Sequence, residues 1–114
     1  MNEVQVPEVG PQEAQEMIAR GALLIDVRER NEFAEARIPG ARLIPLSEFM
    51  TRFTEIPQDV PVVMQCRSGR RSAQTTAFLL AQGYREVVNL GGGILAWNQQ
   101  GLPVDTTPKD PSTL

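Results

Sequence analysis

The stretch VPVVMQCRSGRRSAQTTAFLLAQG, residues 60–83, decides the fold. Its first part, VPVVMQ (60–65), is a short apolar run with the character of a strand. Its last part, Ser72 to Gln82, predicts a helix with Ala73, Ala77, Leu80 and Ala81 on the apolar face and Gly83 as the stop. Between them lies a turn, CRSGRRS, that begins on the one cysteine of the chain. Strand, tight polar turn and helix in that order form half of a parallel β-α-β unit.

The same alternation extends in both directions. Upstream, ALLIDV (22–27) is an unbroken apolar run ending at Asp26, typical of strands covered on both faces in a parallel sheet. Downstream, VVNL (87–90) is a third strong strand, followed by Gly91-Gly92-Gly93 and a helix, ILAWNQQ, closed by Gly101. A helix over PQEAQEMIAR opens at Pro11 and closes at Gly21, with Ala14, Met17 and Ile18 sharing a face. Weaker signals predict strands at Val4–Val6 and Arg42–Ile44, and a short helix over Leu46–Phe53 with Ser47 as its cap. Trp97, Phe33, Phe49 and Phe53 read as packing residues, and the glycine run at 91–93 as a strand-to-helix turn. The pattern predicts one α/β domain over residues 1–104 with a mostly parallel sheet, and a flexible C-terminal tail over 105–114. Ligands of such sheets bind beyond the carboxyl ends of the strands, where Asp26 and Cys66 both fall.

Composition narrows the chemistry. The 114 residues carry a net charge of −3, with 41% hydrophobic and 22% charged residues, so no nucleic-acid footprint is expected. Ten of the eleven basic residues are Arg, and three of them crowd into positions 67, 70 and 71. Arginine presents a planar fork to oxyanions, so this clustering outweighs the net charge. With one Cys and no His, an internal disulfide, a CxxC pair, a Cys/His zinc site and a Cys-His dyad are all excluded. No apolar run approaches a membrane span and no secretory signal is visible, so a cytoplasmic protein without cofactor or metal is expected.

The cysteine loop shows how a nucleophile is activated without histidine. Amides between Cys66 and Ser72 are placed to face the sulfur, and the following helix adds its positive end. Successive amides in a tight turn form an anion nest, and Gly69 permits the backbone twist it needs. Arg67, Arg70 and Arg71 add positive potential at the rim. Each effect favours thiolate over thiol at a sulfur that solutes reach. The competing reading is a buried core cysteine, the usual state of a free Cys; the electropositive run that follows Cys66 argues against it.

These features resemble the rhodanese family. The matching stretches are LLIDVRERNEF (23–33), RIPGARLIPL (37–46) and VVMQCRSGRRSAQTTAFLLAQGYREVVNLGGGILAW (62–97), and the likeness runs from about residue 8 to 104. The resemblance implies a three-layer α/β/α domain with a five-stranded parallel sheet of order 3-2-4-5-1. It implies Cys66 as a persulfide carrier after the fourth strand, and Arg67, Ser68, Gly69, Arg70, Arg71 and Ser72 as an anion-cradling substrate loop. Where many relatives have His before the IPGA motif this chain has Arg37. Relatives specialised for thiosulfate often have Lys two places after the Cys, where this chain has Ser68. The Cys-Gly-Ser-Gly-Val-Thr loop of mercaptopyruvate-type relatives is matched only at Ser68 and Gly69, so neither donor is assigned.

Phosphatases of one branch share that fold and carry His-Cys, five residues, then Arg. Here Gln65 precedes the Cys and Ser72 holds the sixth position after it, with Arg71 one place early. The shorter loop suits one added sulfur better than a phosphoryl or arsenate group. The expected activity is transfer of a sulfane sulfur from a small anionic donor, such as thiosulfate or a polysulfide, to cyanide or a thiol. Rhodanese modules also serve as non-turnover carriers or interaction domains, so a sulfur-relay protein is an alternative partner. Asp26 and Arg28 are expected as loop support, Asp26 pairing with Arg71, against the alternative of an ordinary surface ion pair. Glu29, Glu32 and Glu35 read as a solvated face.

Overall fold

The computed structural model describes residues 5–114. Its strands are β1 (Glu8–Val9), β2 (Leu23–Asp26), β3 (Arg42–Leu43), β4 (Val62–Gln65) and β5 (Val87–Leu90). They form one five-stranded sheet in the order β1-β5-β4-β2-β3, every pairing parallel, which is the expected 3-2-4-5-1 order read from the other edge. The register aligns Leu23 with Val62, Asp26 with Gln65, and Met64 with Asn89, so the carboxyl ends of the three central strands meet along one rim.

The helices are α1 (Pro11–Ala19), α2 (Arg30–Glu35), α3 (Phe49–Arg52), α4 (Arg70–Ala81) and α5 (Gly93–Gln99). Strand residues alternate between two cores because successive side chains leave opposite faces of the sheet. Leu24, Val63 and Leu90 join Ala14, Ile94 and Trp97 on the side of α1 and α5. Ile25, Val62, Met64, Cys66 and Val87 join Phe49 and Leu79 on the side of α3 and α4. Two buried layers, one on each face of the sheet, make the three-layer α/β/α arrangement.

Several local expectations are corrected. The N-terminal strand is Glu8–Val9, not Val4–Val6: residues 5–7 are irregular and Val4 lies outside the described residues. The segment expected as one helix over Leu46–Phe53 breaks into a 3-10 turn at Leu46–Glu48, the four-residue α3 and a second 3-10 turn at Phe53–Glu55. Ser47 does not cap it; its hydroxyl donates to Glu29 Oε1 at 2.6 Å. Helix α4 begins two residues early and buries Ser72, Thr75, Thr76 and Leu79 instead of the alanine stripe. The threonines tolerate burial because both hydroxyls donate to the Ser72 carbonyl, at 2.9 and 2.7 Å.

Residues 105–114, expected as a flexible tail, are held against α2. Asp105 pairs with Arg37 in an antiparallel bridge, and Lys109 N–H donates to the Ala34 carbonyl at 3.0 Å. Arg37 is buried. It donates to the Phe33 carbonyl at 2.8 Å, to the Ala34 carbonyl at 3.3 Å and to the Thr107 carbonyl, tying the end of α2 to the tail. No helix among the described residues is long and apolar enough to cross a membrane.

Candidate active site

Strand β4 lies between β5 and β2 and delivers Cys66 to the middle of the carboxyl rim. The chain then turns through Arg67, Ser68 and Gly69 into α4. Gly69, at φ +97°, occupies the left-handed region, and a Cβ there would lie 3.1 Å from the Gly92 amide nitrogen. The turn closes around the sulfur. Gly69 N–H donates to Cys66 Sγ at 3.1 Å, Ser72 N–H at 3.4 Å, and the Ser72 hydroxyl oxygen lies 3.3 Å away.

Burial pushes the Cys66 thiol up. The Ser72 hydroxyl and the amides of Ser72, Gly69 and Ser68 outweigh it, and the thiol ends below its ordinary value. The amides face the sulfur, while among the described residues no arginine donates to it: Arg67 and Arg70 are exposed, and Arg71 pairs with Glu32 on α2 yet remains close enough to interact with Cys66 through its charge. The expected exposure is corrected. Cys66 is 1% exposed and packs with the α4-side core, yet the amides face the sulfur as expected. A cleft of about 330 Å³ opens at Arg67, lined also by Arg28, Glu32, Ala36, Leu95 and Val104; Cys66 itself does not line that cleft.

The Ser72 hydroxyl has one proton and two acceptors. Asn89 Oδ1 lies 2.6 Å from Ser72 Oγ, closer than the sulfur. A neutral thiol donates to Oγ while the hydroxyl rests on Asn89; a thiolate draws the hydroxyl to itself.

Asp26 and Arg28 stand at the end of β2 as expected, but their partners differ. Arg28 folds back on Asp26, its Nη2 2.8 Å from Oδ2 and its backbone N–H 2.9 Å from Oδ1, and also donates to the Ala36 carbonyl at 2.7 Å. Burial pushes the Asp26 carboxyl upward, and Arg28 draws it back part of the way. Arg71 does not meet Asp26. It forms a two-pronged pair with Glu32, at 2.8 and 2.9 Å, which holds the Glu32 carboxyl down at about 2. Glu32, read from sequence as a solvated side chain, is thus the group that ties α2 to the loop. Its position in the first turn of α2, where its carboxylate also accepts Glu29 N–H at 3.0 Å, was the available signal.

A second support was also missed. The Ile94 and Leu95 amides, in the first turn of α5, donate to the carbonyls of Cys66 at 2.9 Å and Arg67 at 3.2 Å. Gly93, at φ +59°, faces those same carbonyl oxygens, and a Cβ there would overlap both. The glycine run does more than turn the chain. It lets α5 approach the loop closely enough for its amides to hold it.

The arrangement equips one sulfur to carry negative charge and to act as a nucleophile. The chain is also similar to known proteins. The family model for the rhodanese-like domain matches residues 10–100. A sulfurtransferase of Allochromatium vinosum is 49% identical over 82 residues, covering 72% of this chain and 77% of that protein. Thiosulfate sulfurtransferase GlpE of Haemophilus influenzae is 37% identical over 101 residues, covering 88% and 95%. The crystal structure of a rhodanese-related protein from Thermoplasma volcanium superposes with a TM-score of 0.78 at 28% identity, covering 88% of this chain and 98% of that one.

Proposed function

The chain belongs to the rhodanese-like domain family, and from that membership we propose that it transfers sulfane sulfur through a persulfide on Cys66. Relatives named sulfurtransferase and thiosulfate sulfurtransferase support the activity at the level of the family. The observation that carries the assignment to Cys66 is the convergence of the Gly69 and Ser72 amides on its sulfur, 3.1 and 3.4 Å away.

The reaction has two halves. The Cys66 thiolate attacks the outer sulfur of a small anionic donor such as thiosulfate or a polysulfide. A new S–S bond forms as the donor's own S–S bond breaks, and sulfite or a shortened polysulfide leaves with the electron pair. The exposed guanidinium groups of Arg67 and Arg70 draw the anions in. Amides of Ser68, Gly69 and Ser72 stabilise the anionic terminal sulfur between halves. Cyanide or a thiolate then attacks that sulfur, and the Cys66 thiolate is released. With no second Cys in the chain, the acceptor is always another molecule. The scheme is covalent and gives ping-pong kinetics.

Intact-mass measurement after incubation with thiosulfate tests this directly. A gain of about 32 Da is expected in the wild type and none in Cys66→Ala, since only a covalent carrier holds the sulfur. No gain in the wild type, or an equal gain in the variant, overturns the assignment. Measuring cyanide turnover alongside separates an enzyme from a carrier, which loads but discharges slowly to small acceptors.

A further inference from the structure

Asn89 is a fully buried amide in the middle of an apolar strand, and the reaction scheme above gives it no part. It lies beside Met64 on the adjacent strand and projects to the α4 side of the sheet, as Met64 does. Its Nδ2 donates to the Gly69 carbonyl at 3.0 Å and to Glu8 Oε2 at 3.3 Å, and its Oδ1 takes the Ser72 hydroxyl at 2.6 Å. Gly69 and Ser72 are the two residues whose groups surround the sulfur. One side chain thus grips both ends of the cradle from behind.

We propose that Asn89 is a positioning residue that sets the cradle around Cys66, acting through the Gly69 carbonyl and the Ser72 hydroxyl; this rests on the reading of Cys66 as the sulfur carrier. The physical basis is the orientation of the Gly69 backbone. Its carbonyl is fixed by two donors, Asn89 Nδ2 and the Ala73 amide at 3.1 Å. The Ala73 bond belongs to any helix start and leaves the turn free to rock about it. The second bond, from a side chain anchored in the sheet, removes that freedom. With φ held at +97°, the Gly69 N–H stays aimed at the sulfur. The Ser72 arm works differently. It gives the hydroxyl a resting acceptor when the sulfur is neutral or loaded, so no buried donor is stranded as charge moves out to the terminal sulfur.

The two arms are separable because Asp keeps the acceptor and loses the donor. The test is the pH profile of Cys66 alkylation by iodoacetamide, which needs no sulfur donor and so reports on Asn89 even if the persulfide scheme fails. Five proteins, each carrying all 114 residues, are compared: wild type, Ser72→Ala, Asn89→Asp, Ser72→Ala combined with Asn89→Leu, and the core control Ile38→Ala. The charged groups near the loop are Arg67, Arg70, the Arg71–Glu32 pair, the Asp26–Arg28 pair and Glu8, and all are retained; Asn89→Asp alone adds a charge, so its shift includes direct repulsion of the thiolate.

The midpoint is expected to rise by about one unit when Asn89→Leu is added to Ser72→Ala, which isolates the Gly69 arm. Asn89→Asp is expected to raise it as well, with the carboxylate now repelling the Gly69 carbonyl. Ile38→Ala, a truncation in the core on the other face of the sheet, controls for lost stability and is expected to lower the melting temperature without moving the midpoint. An unchanged midpoint in the folded double variant, or an equal shift in Ile38→Ala, overturns the proposal. If the double variant does not fold, Ser72→Ala combined with Asn89→Ala, which likewise adds no charge, is compared with Ser72→Ala and decides it.

Discussion

After β4 and after β5 the chain makes the same manoeuvre: a strand ends, a glycine takes the left-handed conformation at the helix cap, and a helix begins. The caps are Gly69 at φ +97° and Gly92 at φ +77°. In both turns amides at the start of the helix find an acceptor outside it. Those of the first turn point to the Cys66 sulfur; those of the second point to the carbonyls of Cys66 and Arg67. The peptide bond is planar and trans, so the Arg67 carbonyl held toward α5 forces the Ser68 N–H of the same unit to the opposite side, toward the sulfur. The second turn therefore acts as a mould for the first. One aims its amides at the sulfur, and its neighbour uses the same device on the loop that holds the sulfur.

Breaking the mould is expected to have the largest effect. In Gly93→Val the new side chain overlaps the Cys66 and Arg67 carbonyl oxygens and must also adopt a φ of +59°. The loop must move, and displacement of about 1 Å at a reacting group costs roughly 100-fold in rate. Persulfide loading followed by intact mass is expected to slow by about that factor. Gly101→Ala supplies the contrast: its φ is +77° but no atom lies within 4 Å of an added Cβ, so it strains the backbone without touching the loop. Equal loading rates in the two variants would show that the second turn does not shape the first.

Weakening the first turn from inside is expected to have an intermediate effect. The amide and hydroxyl donors favour the thiolate, which places the Cys66 midpoint below the ordinary thiol value. Thiol reactivity should then rise with pH and level off earlier than for an unstructured cysteine. Ser72→Ala deletes one donor to an anion, so the midpoint moves up, by about one unit or less. Alkylation at neutral pH slows accordingly, while the alkaline plateau is unchanged. A Ser72→Ala profile that overlays the wild type would leave the backbone amides as the whole cause.

How much of this was legible in the sequence follows the range of the interactions. The strands 22–27, 60–65 and 87–90 and the turn around Cys66 depend on local apolar runs and glycine placement, and they stand where they were expected. The inward amides were legible for the same reason, since a strand, a short glycine-containing turn and a helix leave few ways to close. The partner of Arg71 was not. Choosing Glu32 over Asp26 needs the docking of α2 against the loop, across 39 residues of chain. Arg28, only two residues from Asp26, reached that carboxylate first. The clamp by α5 and the grip of Asn89 are likewise contacts between separate β-α units. Their only local traces were a polar residue inside VVNL and one glycine more than a turn needs.

The rim offers the smallest expected effect and sharpens the contrast between backbone and side-chain support. Arg71 holds Glu32 from the first turn of α4, with side chains 32% and 25% exposed, so solvent screens the pair. Glu32→Gln keeps the size and removes the charge, at a cost of at most about 1 kcal/mol in stability. Loading should slow by only a few-fold, because the amides that face the sulfur are held by α5 and Asn89 rather than by this pair. The acid limb carries the signature. The folded value of Glu32 is depressed from the ordinary 4.5 to about 2, so its contribution is complete above pH 4.5 and disappears as pH falls toward 2. The stability difference between wild type and Glu32→Gln, followed by thermal melting, should therefore be constant near neutrality and close across that window. A Glu32→Gln loading defect as large as that of Gly93→Val would place the arginine rim on a level with the glycine turn as the loop's support.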